Sequence, residues 1–91
     1  MTKAAVSGLT KGLARELGPR GITVNNIAVG PTETDMSPPD DSDIARANRE
    51  SLAIGRYGHA HEIANVVAHL ASPESSYVTG ATWNVDGGFN A

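Results

Sequence analysis

The sequence contains no cysteine, which removes disulfides and thiolate metal ligands together. Aromatic residues are almost as scarce, with one Trp, two Tyr and one Phe. No apolar run approaches the roughly 20 residues that span a bilayer as a helix, and the N-terminus lacks the charged-then-apolar layout of a secretion signal. A basic face is missing too. The formal net charge is −3, so nothing points to nucleic acid or an anionic membrane as partner. Neither G-x-G-x-x-G nor G-x-x-x-x-G-K-[ST] occurs, which leaves no phosphate-cradling turn, and no serine sits in a nucleophile-elbow context. The expectation is a soluble, cytoplasmic chain.

What is present is sparse in core material. The chain has 91 residues and is 40% hydrophobic, against roughly 45–50% for typical globular chains counted with glycine. A single domain of this size buries only about 60–65% of its unfolded surface. The opening "MTKAAVSGLTKGLARELGPRGITVNN" runs as an amphipathic helix within a few residues, with no strand leading in. Because such a helix needs something to pack against, a substantial upstream part is expected.

The first helix is expected within residues 1–18, its periodic part running from Thr2 to Leu17. Val6, Leu9, Leu13 and Leu17 form one apolar stripe, and Ala4, Gly8 and Gly12 form a smooth line suited to close approach by another helix. Gly18-Pro19 ends the helix, with glycine expected just past the last turn. The β-branched run over 22–29 reads as a strand, and its lack of clean alternation suits a parallel strand covered on both faces. Residues 30–42, "GPTETDMSPPDDS", hold three prolines and four acidic residues in thirteen and read as a loop. A long loop beyond the carboxyl end of a buried parallel strand is where ligands bind in open α/β sheets. Helices follow within 43–71. Ser42 caps a short one from Asp43 to about Ala53 with Ile44 and Leu52 as anchors, and Ile63, Val66, Val67 and Leu70 mark a second over 60–71. The last strand spans 81–86. This helix-strand-helix-helix-strand order is α/β with a parallel crossover, and two strands alone cannot cover both faces of a sheet.

Other clusters carry less chemistry. His59, His61, Glu62 and His69 are near one another, but histidines at i and i+2 do not share a helix face, so they read as solvated residues at a helix start rather than a metal site. Asp40, Asp41 and Asp43 lack the central glycine and distal glutamate of a calcium loop. No metal site is expected.

The stretches "TKAAVSGLTKGLARELGPRGITVNNIAVGPTETDM" and "GRYGHAHEIANVVAHLASPESSYVTGATWNVDGG" resemble the short-chain dehydrogenase/reductase family, from its catalytic lysine onward, and in particular members of the 3-oxoacyl-acyl-carrier-protein reductase kind. The likeness is colinear and covers nearly the whole chain. It implies the C-terminal portion of a Rossmann-like doubly wound parallel sheet, incomplete as a domain. It also implies hydride transfer between NAD or NADP and a small carbonyl or alcohol substrate in the parent enzyme. Lys3 matches the family's catalytic lysine, which also holds the cofactor ribose. Gly30, Thr32 and Thr34 match positions around the nicotinamide, although Val29 stands where the family has proline and Pro31 follows the glycine. Asn25 matches a structural asparagine, and the acidic loop matches the substrate lid.

The family's tyrosine, four residues before the lysine, falls before Met1, and the serine and pyrophosphate turn fall further upstream. Tyr57 and Tyr77 are followed four residues on by His61 and Ala81 and cannot substitute. A tyrosine of pKa about 10 needs the lysine to act near neutrality. Lys3 without it has nothing to modify, and loss of the acid alone costs about 10²–10⁴-fold. The isolated 91-residue chain is therefore expected to be inactive, with weak or no cofactor binding. The resemblance further implies a homo-oligomer formed through the first helix and the last strand. The alternative is a non-catalytic interaction module that binds full-length relatives.

Overall fold

The computed structural model describes residues 2–33, 41–89 and 91. Of the lid expected over 30–42, residues 34–40, with Thr34 among them, lie outside the described residues. Helix α1 spans Lys3–Leu17, and Thr2 in extended geometry starts it, its hydroxyl accepting the Ala5 N–H at 3.1 Å. That bond satisfies one of the first-turn donors that no helical carbonyl can reach. The α-helix ends at Leu17 with Gly18 as its cap residue, but not in the left-handed geometry that usually closes a helix. Gly18 keeps φ −55°, the chain tightens into a 3₁₀ turn over Gly18–Arg20, and the left-handed residue is Gly21 at φ 75°. Pro19 explains the shift: its fixed φ and missing donor suit the start of a tight turn, so the Gly-Pro pair prolongs the spiral by one turn.

Strands β1 (Asn26–Val29) and β2 (Thr82–Val85) form a two-stranded parallel sheet, with Asn26 opposite Thr82 and Val29 opposite Val85. β1 is four residues shorter than the expected 22–29, and β2 is shorter than 81–86. Side chains replace the ladder ahead of β1. The Val24 N–H donates to the Thr79 hydroxyl at 3.0 Å, and the Gly80 N–H donates to the Val24 carbonyl at 2.8 Å. Asn25 bridges the gap with both ends of its amide, donating to the Val78 carbonyl at 2.9 Å and accepting the Ala81 N–H at 3.2 Å.

Helix α2 spans Asp43–Glu50, capped by the Ser42 hydroxyl on the Ala45 N–H at 3.0 Å. It ends three residues before the expected Ala53. The Ser51 hydroxyl bonds back to the Ala47 carbonyl at 3.0 Å, and the chain turns so that Leu52 enters the interior. The anchors also differ from expectation. Ile44 is 65% exposed, while Ala45 and Leu52 are buried. Helix α3 spans Ala60–Ala71 and is followed by a 3₁₀ turn, Pro73–Ser75, whose buried Ser75 hydroxyl donates to the His69 carbonyl at 2.7 Å.

The interior is small. Among the described residues the buried apolar ones are Ala14, Ala45 and Leu52, and Thr10 is buried with its hydroxyl bonded to the Val6 carbonyl at 2.8 Å. The expected stripes on α1 and α3 exist but are not covered by the chain. Leu9 is 53% and Val67 49% exposed, and no α3 residue is fully buried. The radius of gyration is 15.5 Å, against about 12 Å for a compact domain of this length. The accessible surface is 6439 Å², roughly 1,400 Å² above the figure of about 5,000 Å² that this mass scales to. The second layer that a parallel sheet requires is not supplied by these residues.

Candidate functional site

A cleft of about 380 Å³ opens where α1 begins and β1 ends. Its walls join Lys3 and Val6 from the first turn of α1 to Ala28, Val29, Gly30 and Pro31 at the carboxyl end of β1, with Asp86 and Phe89 beyond β2. The parallel register explains the meeting: with Val29 opposite Val85, the next residues, Gly30 and Asp86, face one another. They approach so closely that a β-carbon on Gly30 would lie 2.6 Å from the Asp86 Cα. Glycine is therefore required at position 30 by contact, while the Gly30 N–H continues the ladder to the Val85 carbonyl at 3.1 Å.

The structure brings Lys3 and Gly30 to one cleft and sets Thr32 beside it. The Thr32 hydroxyl turns back to donate to the Gly30 carbonyl at 2.9 Å, and its backbone pairs with Gly58 as an isolated parallel bridge. Thr34 lies outside the described residues. Asp86 and Phe89 were not foreseen from the sequence, and the "VDGG" that closes β2 carried the available signal, since a strand's carboxyl end marks the ligand side of such a sheet. The cleft offers apolar walls for a flat ring, one ammonium and one carboxylate. Neither tyrosine lines it. Tyr77 is wholly exposed, and the Tyr57 hydroxyl accepts from the Asn48 amide at 2.7 Å.

The histidines fall into two groups. His59 Nδ1 lies 3.0 Å from Glu33 Oε2, and its ring stacks on that of His61 with centroids 5.4 Å apart. Glu62 accepts the His59 N–H at 2.9 Å and takes both Arg56 guanidinium nitrogens at 2.8 and 3.0 Å. These bonds, led by the guanidinium, hold the Glu62 carboxyl at a pKa of about 2 and raise that of Arg56. His59 and His61 are exposed at the helix start, in keeping with solvated residues there, and the hydrogen bonds join that start to Arg56 and Glu33. His69 instead meets Trp83 at 5.9 Å. Among the described residues no group of three or more His, Cys, Asp or Glu could hold a metal ion, and no helix is long and apolar enough to cross a membrane.

A helix leading into a parallel strand pair, with a cleft at the carboxyl ends, is the layout of part of an open α/β domain. The chain belongs to the short-chain dehydrogenase/reductase family: a family model described as enoyl-(acyl carrier protein) reductase matches residues 1–90. It is 48% identical over 86 residues to the 3-oxoacyl-[acyl-carrier-protein] reductase FabG of Vibrio harveyi, covering 94% of this chain and 35% of that protein. It is 44% identical over 90 residues to a cyclic-di-GMP-binding biofilm dispersal mediator protein of Escherichia coli (strain K12), covering 99% and 38%. Among solved structures it is similar to a short-chain dehydrogenase/reductase from Serratia marcescens BCRC 10948, with TM-score 0.92, 54% identity, and 98% and 36% of the two chains covered. It is also similar to a blue fluorescent protein from a metagenomic library in complex with NADPH, with TM-score 0.89, 48% identity, and 98% and 36% covered. The chain thus spans a little over a third of the length of these relatives. Its two-stranded parallel sheet and helices match the Rossmann-like fold of the family.

Proposed function

We propose that this chain forms the nicotinamide-proximal wall of an NAD(P)-dependent reductase site whose parent enzyme acts on a small carbonyl or alcohol. We also propose that the 91 residues alone do not turn over. The observation that carries this reading is the convergence of Lys3 and Gly30 on one cleft at the carboxyl end of β1. The residues fit a nicotinamide riboside: the volume of about 380 Å³ lies within the roughly 300–1,000 Å³ of ligand pockets. Val6, Ala28 and Val29 suit a ring, and the Lys3 ammonium can donate to ribose hydroxyls. When bound, the cofactor supplies or accepts hydride.

Lys3 binds and orients in this reading, and Gly30 permits the close approach of the two strand ends. Thr32 fixes the turn through its bond to the Gly30 carbonyl, and Thr34 belongs to the same segment. NAD or NADP as the cofactor is supported by a similar protein whose structure holds NADPH. The substrate is a separate matter, because relatives this similar include both an acyl-carrier-protein reductase and a cyclic-di-GMP-binding protein.

The test measures NADPH oxidation with a small ketone by the pure chain, then after mixing with the complementary N-terminal part of the Serratia relative. Activity only in the mixture is expected, and loss of it in Lys3→Met. Turnover by the 91-residue chain alone would overturn the reading.

A second reading rests on the open face of α1. A β-carbon at Gly8 or Gly12 would meet nothing within 4 Å, and neighbouring apolar side chains are exposed. In that reading the chain is a non-catalytic module that joins full-length relatives through α1 and β2. Co-purification with such a relative, lost in a Gly12→Leu variant, distinguishes it.

A further inference from the structure

We infer that Arg56, His59 and Glu62 form a strap that positions the Pro31–Glu33 turn, and through it the cofactor wall; the consequence for binding rests on the cofactor reading above. Two backbone bonds carry the connection. The Gly58 N–H donates to the Pro31 carbonyl at 3.0 Å, and the Glu33 N–H donates to the Gly58 carbonyl at 2.9 Å. Residue 58 is thus stitched to the turn from both sides.

The strap is in turn anchored at α3. Arg56 grips Glu62 with two nitrogens and also donates to the Tyr57 carbonyl at 3.0 Å, while Glu62 accepts the His59 N–H. His59 reaches back across the turn to Glu33. The chain from 56 to 59 is therefore fixed at both ends, and its middle residue is the one that holds Pro31. Pro31 lines the cofactor cleft on one side. On the other it lines a second cavity of about 250 Å³ that Arg56, Gly58 and Glu62 also border. A displacement of the strap moves the partition between the two.

A single exposed ion pair contributes little to stability, but two-pronged arginine geometry within a network fixes direction. Arg56 and Glu62 are 48% and 36% exposed, so their role is orientation of the turn more than support of the fold. Neither touches the cleft, which makes them positioning residues.

The test follows exchange in the 91-residue chain and reads affinity, with NADPH as probe, in its mixture with the complementary N-terminal part of the Serratia relative. Amide hydrogen exchange is followed at Gly58 and Glu33, with the Gly80 N–H, bonded to Val24 at the opposite end of the sheet, as reference. In Arg56→Ala, exchange at Gly58 and Glu33 is expected to accelerate about tenfold with Gly80 unchanged. Affinity for the probe is expected to fall about fivefold, with Arg56→Lys restoring part of both. Equal acceleration at Gly80, or none at Gly58 and Glu33, overturns the strap. Faster local exchange with unchanged affinity overturns its positioning role. A wild-type mixture that shows no saturable binding refutes the cofactor reading and the positioning role with it, and exchange alone then decides whether the strap exists. If Arg56→Ala does not fold, Arg56→Lys and Glu33→Gln carry the same measurements.

Discussion

Replacing Gly30 with alanine tests the central contact of the site. The new β-carbon would stand 2.6 Å from the Asp86 Cα, 2.7 Å from its Cβ and 3.0 Å from its carbonyl oxygen. Carbon pairs rest at about 3.5–4.0 Å, so the two strand ends must part by roughly 1 Å. Backbone lies on both sides of the contact, and no rotamer change can relieve it. Overpacking of this kind costs about 1–3 kcal/mol. Parting also strains the 3.1 Å bond from Gly30 to Val85, whose loss adds about 0.5–1.5 kcal/mol. The sum is about 1.5–4.5 kcal/mol, or a fall in Tm of at least about 6 °C for a chain of this size. Gly58→Ala is the matched control, since its β-carbon would meet nothing closer than 3.8 Å. Urea denaturation of the two variants beside the parent chain gives the answer. A Gly30→Ala chain within about 0.5 kcal/mol of the parent, or a Gly58→Ala chain equally damaged, refutes the close-packed turn.

Three further outcomes are expected. Asn25→Ala strands the Val78 carbonyl and the Ala81 N–H and should cost about 1–3 kcal/mol in the same denaturation assay; Asn25→Asp should be no better, because a carboxylate cannot donate to Val78. Gly12→Ala, made where a β-carbon meets nothing within 4 Å, should stabilise the isolated chain by about 0.5–1 kcal/mol, read as a rise in helix-monitored Tm, unless α1 is already packed against a second chain. Glu62 has its folded pKa lowered from 4.5 to about 2, so its contribution is present above pH 4.5 and lost as pH falls through about 2. The denaturation midpoints of the parent and Glu62→Gln should therefore differ by a constant amount above that range and converge toward about pH 2. A gap that persists unchanged at low pH would rule out the ionised carboxylate as its source.

The sequence alone determined the kind of elements and their order. Apolar spacing is a local property of one helix, and β-branched runs are a local property of one strand, so α1, α3 and the two strands were legible without any neighbour. Lys3 and Gly30 were legible through their motif context. Boundaries and anchors were not. Whether Ile22–Asn25 is strand depends on what lies opposite, and there Thr79, Gly80 and the Asn25 amide take the place of a ladder. Ile44 has the chemistry of an anchor, yet it is 65% exposed and Ala45 is the residue turned inward, a choice that tertiary packing makes and residue type does not. The charged residues after Arg56 gave no periodic signal, since a network such as Glu33–His59 joins positions 26 apart in sequence. The pairing of Gly30 with Asp86 is likewise a consequence of strand register, which only the parallel sheet decides. Local chemistry wrote the elements; long-range contact chose where each one stops and what its end touches.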